Sequence, residues 1–279
     1  MKRIAACVLC IILVLSGCAR FAGSENVAPE VTEEQLGREV RVAIIDTGIS
    51  SAAIAPEHVA EGANYLIPEN GTEDTYGHGT AIASVILAHS KNAVLVPLVS
   101  NVYDRGRISF VDNATFAQMI RDAVDIYNCE IINISAGLVL DKEPIRQAVA
   151  YAEEQGVLIV ASAGNDYLEN PGQIYYPAAY ETVLAVGALT ADGTQIADFA
   201  QRGPWVDLFA PGEEIPYLTL SGGNGTGKGS SYAAAQVTAA AVGYLQKNGS
   251  LSPKELRALL TEEAESYGAL ANANKPQGI

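Results

Sequence analysis

Basic residues are scarce in this chain. Seventeen lysines and arginines stand against 32 aspartates and glutamates, a formal charge of −15 over 279 residues. Phosphate binding requires basic surface, so no nucleic-acid partner is expected; the acidity favours solubility and attracts basic peptides. Cysteine is scarcer still. Of four cysteines, Cys7, Cys10 and Cys18 fall at the extreme N-terminus, and only Cys129 remains in the body of the chain. One thiol cannot close an internal disulfide. Cys129 heads the apolar run Cys129-Glu130-Ile131-Ile132-Asn133-Ile134 and reads as core packing; no histidine lies near it in sequence to make it a nucleophile. Long hydrophobic runs are missing too: the apolar stretch Ile4 to Leu15 is too short and too N-terminal to span a bilayer well.

What that stretch does resemble is a targeting segment, with Met1-Lys2-Arg3 as its basic start. It ends in Leu15-Ser16-Gly17-Cys18, which resembles the lipobox of bacterial lipoproteins. The resemblance implies a signal peptide over residues 1–17, lipidation of Cys18 and anchoring at the outer face of a bacterial membrane. A plain secretory signal with a chance cysteine is the alternative. Loss of Lys2 and Arg3 would leave the chain near −17. Residues 18–39 are polar and acidic and read as a tether. Residues 40–265 read as one folded domain and 266–279 as a polar tail.

Within the domain, apolar strands alternate with amphipathic helices. Val40–Asp46, Ala93–Val99, Cys129–Ile134 and Val157–Ala161 read as strands, with shorter ones at Thr182–Val186 and Val206–Phe209. Helices are expected over Thr80–His89, from an Asp112 or Asn113 cap through Tyr127, over Glu143–Gln155 and over Ser231–Leu245. Ser252-Pro253-Lys254-Glu255 is a capping box that opens one more. This alternation predicts an α/β fold of three layers, a mostly parallel sheet with helices on both faces. Functional groups in such sheets collect at the carboxyl ends of the strands.

Four features meet there. Ile44-Ile45-Asp46-Thr47-Gly48 leaves a carboxylate just past a buried strand, where it needs a partner. Gly77 and Gly79 flank His78 and leave its imidazole open. Val157–Ala161 runs into Ser162-Ala163-Gly164-Asn165, whose amide can donate to a developing oxyanion. The glycine-rich Ser221–Gly229 turn delivers Ser230-Ser231 to the start of an alanine-rich helix, where free N–H groups point outward. Each feature alone is as well explained by a turn or a cap. Gly222 to Lys228 also spells most of a phosphate-binding loop, but Gly229 stands where that motif needs a Ser or Thr.

Together, in this order, the segments resemble the subtilisin family of serine peptidases over about residues 40 to 250. Asn133-Ile134-Ser135-Ala136-Gly137, Tyr176-Pro177 with Val183 to Ala188, and Asp207-Leu208-Phe209-Ala210-Pro211-Gly212 match three lesser family segments. The resemblance implies a Ser231 nucleophile, His78 as base, Asp46 as its orienting carboxylate, and Asn165 with the Ser231 N–H as oxyanion donors. A catalytically silent, binding member of the fold is the alternative function. The resemblance also places Ser135, Ala136, Gly137, Ser162, Ala163, Gly164 and Tyr175 around the first substrate pocket. Asp166 and Glu169 near it would favour a basic substrate residue, with a plain solvated loop as the alternative; Arg105 and Arg107 would favour acidic ones further upstream. Ala234-Ala235-Gln236 replaces the proline-containing continuation of the family's serine motif. The short Ala88–Asn92 loop lacks the family's calcium insertion, so no cofactor is expected and no calcium site is identified, with calcium binding elsewhere left open. About twenty residues between Cys18 and the first strand are too few for the usual prodomain, which implies unaided folding or help from another chain. The expected partners are a peptide or protein substrate and, through Cys18, a membrane; a monomer is expected.

Overall fold

The computed structural model describes residues 38–104 and 106–266. The signal segment, Cys18, most of the tether, Arg105 and the tail beyond 266 lie outside those residues.

In chain order the strands are β1 (Val40–Asp46), β2 (Ala63–Asn64), β3 (Ala93–Val99), β4 (Asn101–Asp104), β5 (Arg107–Phe110), β6 (Ile131–Ile134), β7 (Leu158–Ser162), β8 (Val183–Leu189), β9 (Leu208–Pro211), β10 (Ile215–Leu218) and β11 (Asn224–Gly227). The helices are α1 (His78–His89), α2 (Asn113–Asp125), α3 (Glu143–Glu154), α4 (Ser230–Asn248) and α5 (Pro253–Ser266). Seven strands form one sheet in the order β2-β3-β1-β6-β7-β8-β9. Every pairing in it is parallel.

Strand alternation assigns the two faces. Val40, Val42 and Ile44 of β1 pack in a buried cluster with Ile82 and Ile86 of α1, Val242 of α4 and Leu256 of α5. Their neighbours Ala43 and Ile45 join Phe116 and Ile120 of α2 and Ile145 and Val149 of α3 on the opposite face. The fold is therefore the expected three-layer α/β sandwich. Burying one such isoleucine contributes about 1.5–3 kcal/mol, so both layers are held mainly by these contacts. The α4 helix presents buried Ala233, Ala234, Ala235, Ala239 and Ala241; small side chains let it lie close to the sheet. Thr238 Oγ1 also donates to Asn133 Oδ1 at 2.9 Å, tying α4 to β6 through two fully buried groups.

Register sets the functional edge. Ile45 aligns with Ile134, and Ile134 with Ala161. Asp46, Ser135 and Ser162 therefore follow in one row at the carboxyl end.

Expected element ends shift by a few residues, and two differences bear on the site. The α1 helix starts at His78 instead of Thr80, so the histidine belongs to its first turn. The glycine-rich turn contains a strand, β11, paired antiparallel with β10. Asn224–Gly227 is thus extended ribbon, which removes the phosphate-loop reading. The capping box is formed: Ser252 N–H donates to Glu255 Oε2 at 2.8 Å, and Glu255 N–H to Ser252 Oγ at 3.3 Å.

Candidate active site

Asp46 ends β1 and is 4% exposed. Its Oδ1 accepts the Thr47 N–H at 2.8 Å. Both of its oxygens lie 2.8 Å from His78 Nδ1. That contact makes Nδ1 the protonated nitrogen, a tautomer assigned from the hydrogen bond, and leaves the Nε2 lone pair available. Burial pushes the His78 pKa down, but the charge and hydrogen bond of Asp46, with the charge of Asp74, outweigh it and raise the imidazole above its ordinary value. The His78 side chain is still 28% exposed, enough to meet a ligand. Gly79 makes the juxtaposition possible: a Cβ there would fall 2.2 Å from Gly48 O. Instead its N–H reaches Thr47 Oγ1 at 2.9 Å.

The two serines at the start of α4 differ sharply. Ser230 is fully buried. Its Oγ accepts the Gly164 N–H at 3.3 Å and its N–H donates to Asn165 Oδ1 at 2.7 Å. Ser231 is 6% exposed, and the ring of the next residue, Tyr232, stands edge-on to His78 at 6.4 Å. Among the described residues no hydrogen bond joins Ser231 to His78; such contacts are often long without substrate and tighten when it binds. Asn165 is exposed at the end of the β7 turn. With Oδ1 held by Ser230, its Nδ2 is the free donor.

Beside this edge lies a cavity of about 310 Å³ lined by Ser135, Gly137, Ser162, Gly164, Asn165, Asp166 and Tyr175. The Tyr175 ring fills the space between two glycines. A Cβ on Gly137 would come within 3.0 Å of it, and one on Gly164 within 2.6 Å. Tyr175 OH donates to Asp166 Oδ2 at 2.5 Å. Burial, then that carboxylate, pushes the phenol up to about 12. Burial raises the Asp166 pKa, but hydrogen bonds from Tyr175, Gln201 and Asn170 outweigh it and hold the carboxyl below its ordinary value.

Of the pocket residues expected from sequence, two are placed elsewhere. Ala163 is fully buried and its side chain packs with Val206 and Phe209, because it alternates to the opposite side from Ser162 and Gly164. Ala136 lines a neighbouring cavity of about 340 Å³ with Asp46, His78, Phe110, Phe116 and Leu138. Glu169 does not line the pocket, and Arg107 is exposed on β5. Gln201 was not anticipated. It is fully buried and donates to Asp166 Oδ1 and Asn170 O, both at 2.9 Å; no motif marks it. Among the described residues no group of three or more His, Cys, Asp or Glu is placed to hold a metal ion.

A family model described as the subtilase family, peptidase S8, matches residues 37–279. The chain belongs to the subtilase family. It is 33% identical over 243 residues to Subtilisin Savinase of Lederbergia lenta, covering 84% of this chain and 86% of that protein. The alkaline protease of Alkalihalobacillus alcalophilus is also 33% identical over 243 residues, but this chain spans only 61% of its length. Among solved structures, a cold-adapted subtilisin-like serine proteinase superposes with a TM-score of 0.74 at 26% identity, over 86% of this chain and 87% of that one. Sphericase gives 0.72 at 28% identity, over 82% and 84%. This subtilase thus carries a serine, an oriented imidazole and an amide donor on one sheet edge. Chemically that set can transfer an acyl group.

Proposed function

We propose that this subtilase is a serine endopeptidase, with Ser231 as nucleophile, His78 as general base and acid, and Asp46 as the group that orients it. The observation that carries the reading is the Asp46–His78 contact at 2.8 Å to both oxygens; Asn165 is bonded to Ser230, the residue before Ser231. Ser231 Oγ attacks the scissile carbonyl carbon while its proton passes to His78 Nε2. The C–N bond then breaks as that proton moves to the leaving amine, and an acyl-enzyme forms. Water adds by the same route, its proton going to His78 and then back to Ser231, and releases the acid. Asn165 Nδ2 and the Ser231 N–H hold the oxyanion in both halves. The scheme uses no cofactor.

The acyl side chain enters the cavity floored by Tyr175, and upstream residues meet Phe110, Phe116 and Leu138. The substrate is a peptide or protein. The lipobox-like Leu15-Ser16-Gly17-Cys18 supports tethering through lipidated Cys18 at the outer face of a bacterial membrane, with the domain acting as a monomer outside the cytoplasm. No described helix is long and apolar enough to cross a membrane.

The test is labelling of the full chain with a fluorophosphonate, compared with Ser231→Ala and Ser230→Ala. Labelling lost only in Ser231→Ala is expected. A folded wild-type chain that takes no label would overturn the reading in favour of a silent scaffold. Radiolabelled palmitate incorporation, abolished by Cys18→Ser, tests the anchor.

A further inference from the structure

The turn that delivers His78 holds a second buried carboxylate, which the scheme above does not use. Asp74 is 4% exposed. Its Oδ1 accepts the N–H groups of Tyr76 at 2.9 Å and Gly77 at 2.8 Å. Its Oδ2 accepts the Thr80 N–H at 2.9 Å and the Thr80 hydroxyl at 2.6 Å. All four acceptor positions are filled by donors. Among the described residues no lysine or arginine is paired with it. A buried charge without a cation is expensive unless polar groups surround it, and Asp74 spends all its capacity on one turn.

That turn is fastened to the loop that carries Asp46. Thr80 Oγ1, while donating to Asp74, accepts the Ser50 N–H at 3.0 Å. Thr47 Oγ1 accepts the Gly79 N–H at 2.9 Å, and Ile49 N–H donates to Thr72 O at 3.0 Å. Segments 46–50 and 72–80 are therefore stitched on both sides of the Asp46–His78 contact.

Charge matters as well as shape. His78 is the first residue of α1, where the positive end of a helix disfavours a protonated imidazole. Asp74 binds N–H groups of that same end and counters it. We propose that Asp74 is a positioning residue for His78: it clamps the histidine turn onto the aspartate loop and places a second negative charge behind the imidazole. The proposal rests on His78 acting as the base. The other groups facing His78 are Asp46 from β1, Tyr232 from α4, Tyr76 on its own turn with Tyr103 of β4 against it, and Tyr217 of β10 behind Tyr232. Burial pushes Tyr232 up to about 12, so it stays neutral where the histidine titrates.

The experiment uses Asp74→Asn and Thr80→Val in the full chain, each with and without Ser231→Ala. NMR of labelled histidine in the Ser231→Ala background reads the His78 titration without any need for activity. Asp74→Asn is expected to move that midpoint to lower pH and to cut kcat about 10- to 100-fold at nearly constant KM. Thr80→Val keeps the charge and loses two bonds of the clamp, the one to Asp74 and the one from Ser50; kcat should fall about 3- to 10-fold with the midpoint unmoved. A folded Asp74→Asn protein with an unmoved midpoint and normal kcat overturns the proposal. Should Asp74→Asn not fold, Thr80→Val decides: unchanged kcat overturns the clamp. A midpoint that moves in a chain without peptidase activity would sink the peptidase reading and leave the Asp74–His78 coupling standing.

Discussion

Asn165 performs two jobs with two atoms, and they can be separated. Its Oδ1 accepts the Ser230 N–H at 2.7 Å, which leaves Nδ2 to the oxyanion. Asn165→Ala removes both. Losing one oxyanion donor lowers kcat by about 10²- to 10³-fold, roughly 2.7–4 kcal/mol of transition-state stabilisation. Leaving a buried N–H without its acceptor costs about 1–3 kcal/mol. Asn165 itself is exposed and water can replace the lost oxygen, so the lower end applies, about 1 kcal/mol, or a Tm loss of about 2–4 °C for a domain of this size. Asn165→Asp keeps an oxygen for Ser230 but has no donor, and it adds a negative charge beside the oxyanion. It should melt within about 2 °C of wild type and lose at least the same 10²- to 10³-fold in rate. The assay is kcat/KM on a chromogenic peptide anilide beside a calorimetric melt. An Asn165→Asp enzyme with near wild-type rate would refute the assignment of Nδ2. Equal Tm losses in both variants would refute the role given to Oδ1.

Four further outcomes follow from the same geometry. Tyr175→Gly should open the cavity between Gly137 and Gly164 and raise the preference for a large over a small acyl side chain by about 10-fold or more; an unchanged substrate profile would show that the ring does not floor the pocket. Because Asp46 and Asp74 raise the His78 pKa, the acid limb of kcat/KM should lie above the ordinary histidine value of about 6.5. The folded chain then binds that proton more tightly than the unfolded chain. The stabilisation is complete below about pH 6.5 and is lost as pH rises through the raised value, so urea titrations of His78→Gln should lose that pH dependence. The Cys129 thiol, pushed up to about 12 by burial, should resist a thiol reagent until the chain unfolds; rapid modification of the native protein would place it outside the core.

Much of the site was legible because its residues lie at ends of elements that short-range pattern announces. An apolar run closing in Asp46, glycines around His78, a strand running into Asn165 and a glycine–serine step into an alanine-rich helix are all local. So is the alternation of strand and helix that implies a covered parallel sheet. Local pattern reached as far as backbone conformation and stopped there. It did not reveal that Ser230 is wholly buried and holds Gly164 and Asn165, nor that Ala163 turns away while its neighbours face the pocket. Gln201 and Asp74 carry no motif, yet one supports the pocket floor and the other holds the histidine turn. The glycine-rich turn hid a strand whose only signal is its partner.

The sequence by itself determined which residue types stand at each strand end and in what order. The tertiary structure decided which of them meet. Asp46 and His78 are 32 residues apart and Asn165 and Ser230 are 65 apart. Such pairs come within 3 Å only because parallel register lines up the ends of β1 and β7, while α1 and α4, packed on the same face of the sheet, bring their first residues to that edge. Hydrogen-bond partners depend on tenths of an ångström in that register, and no sequence window spans it.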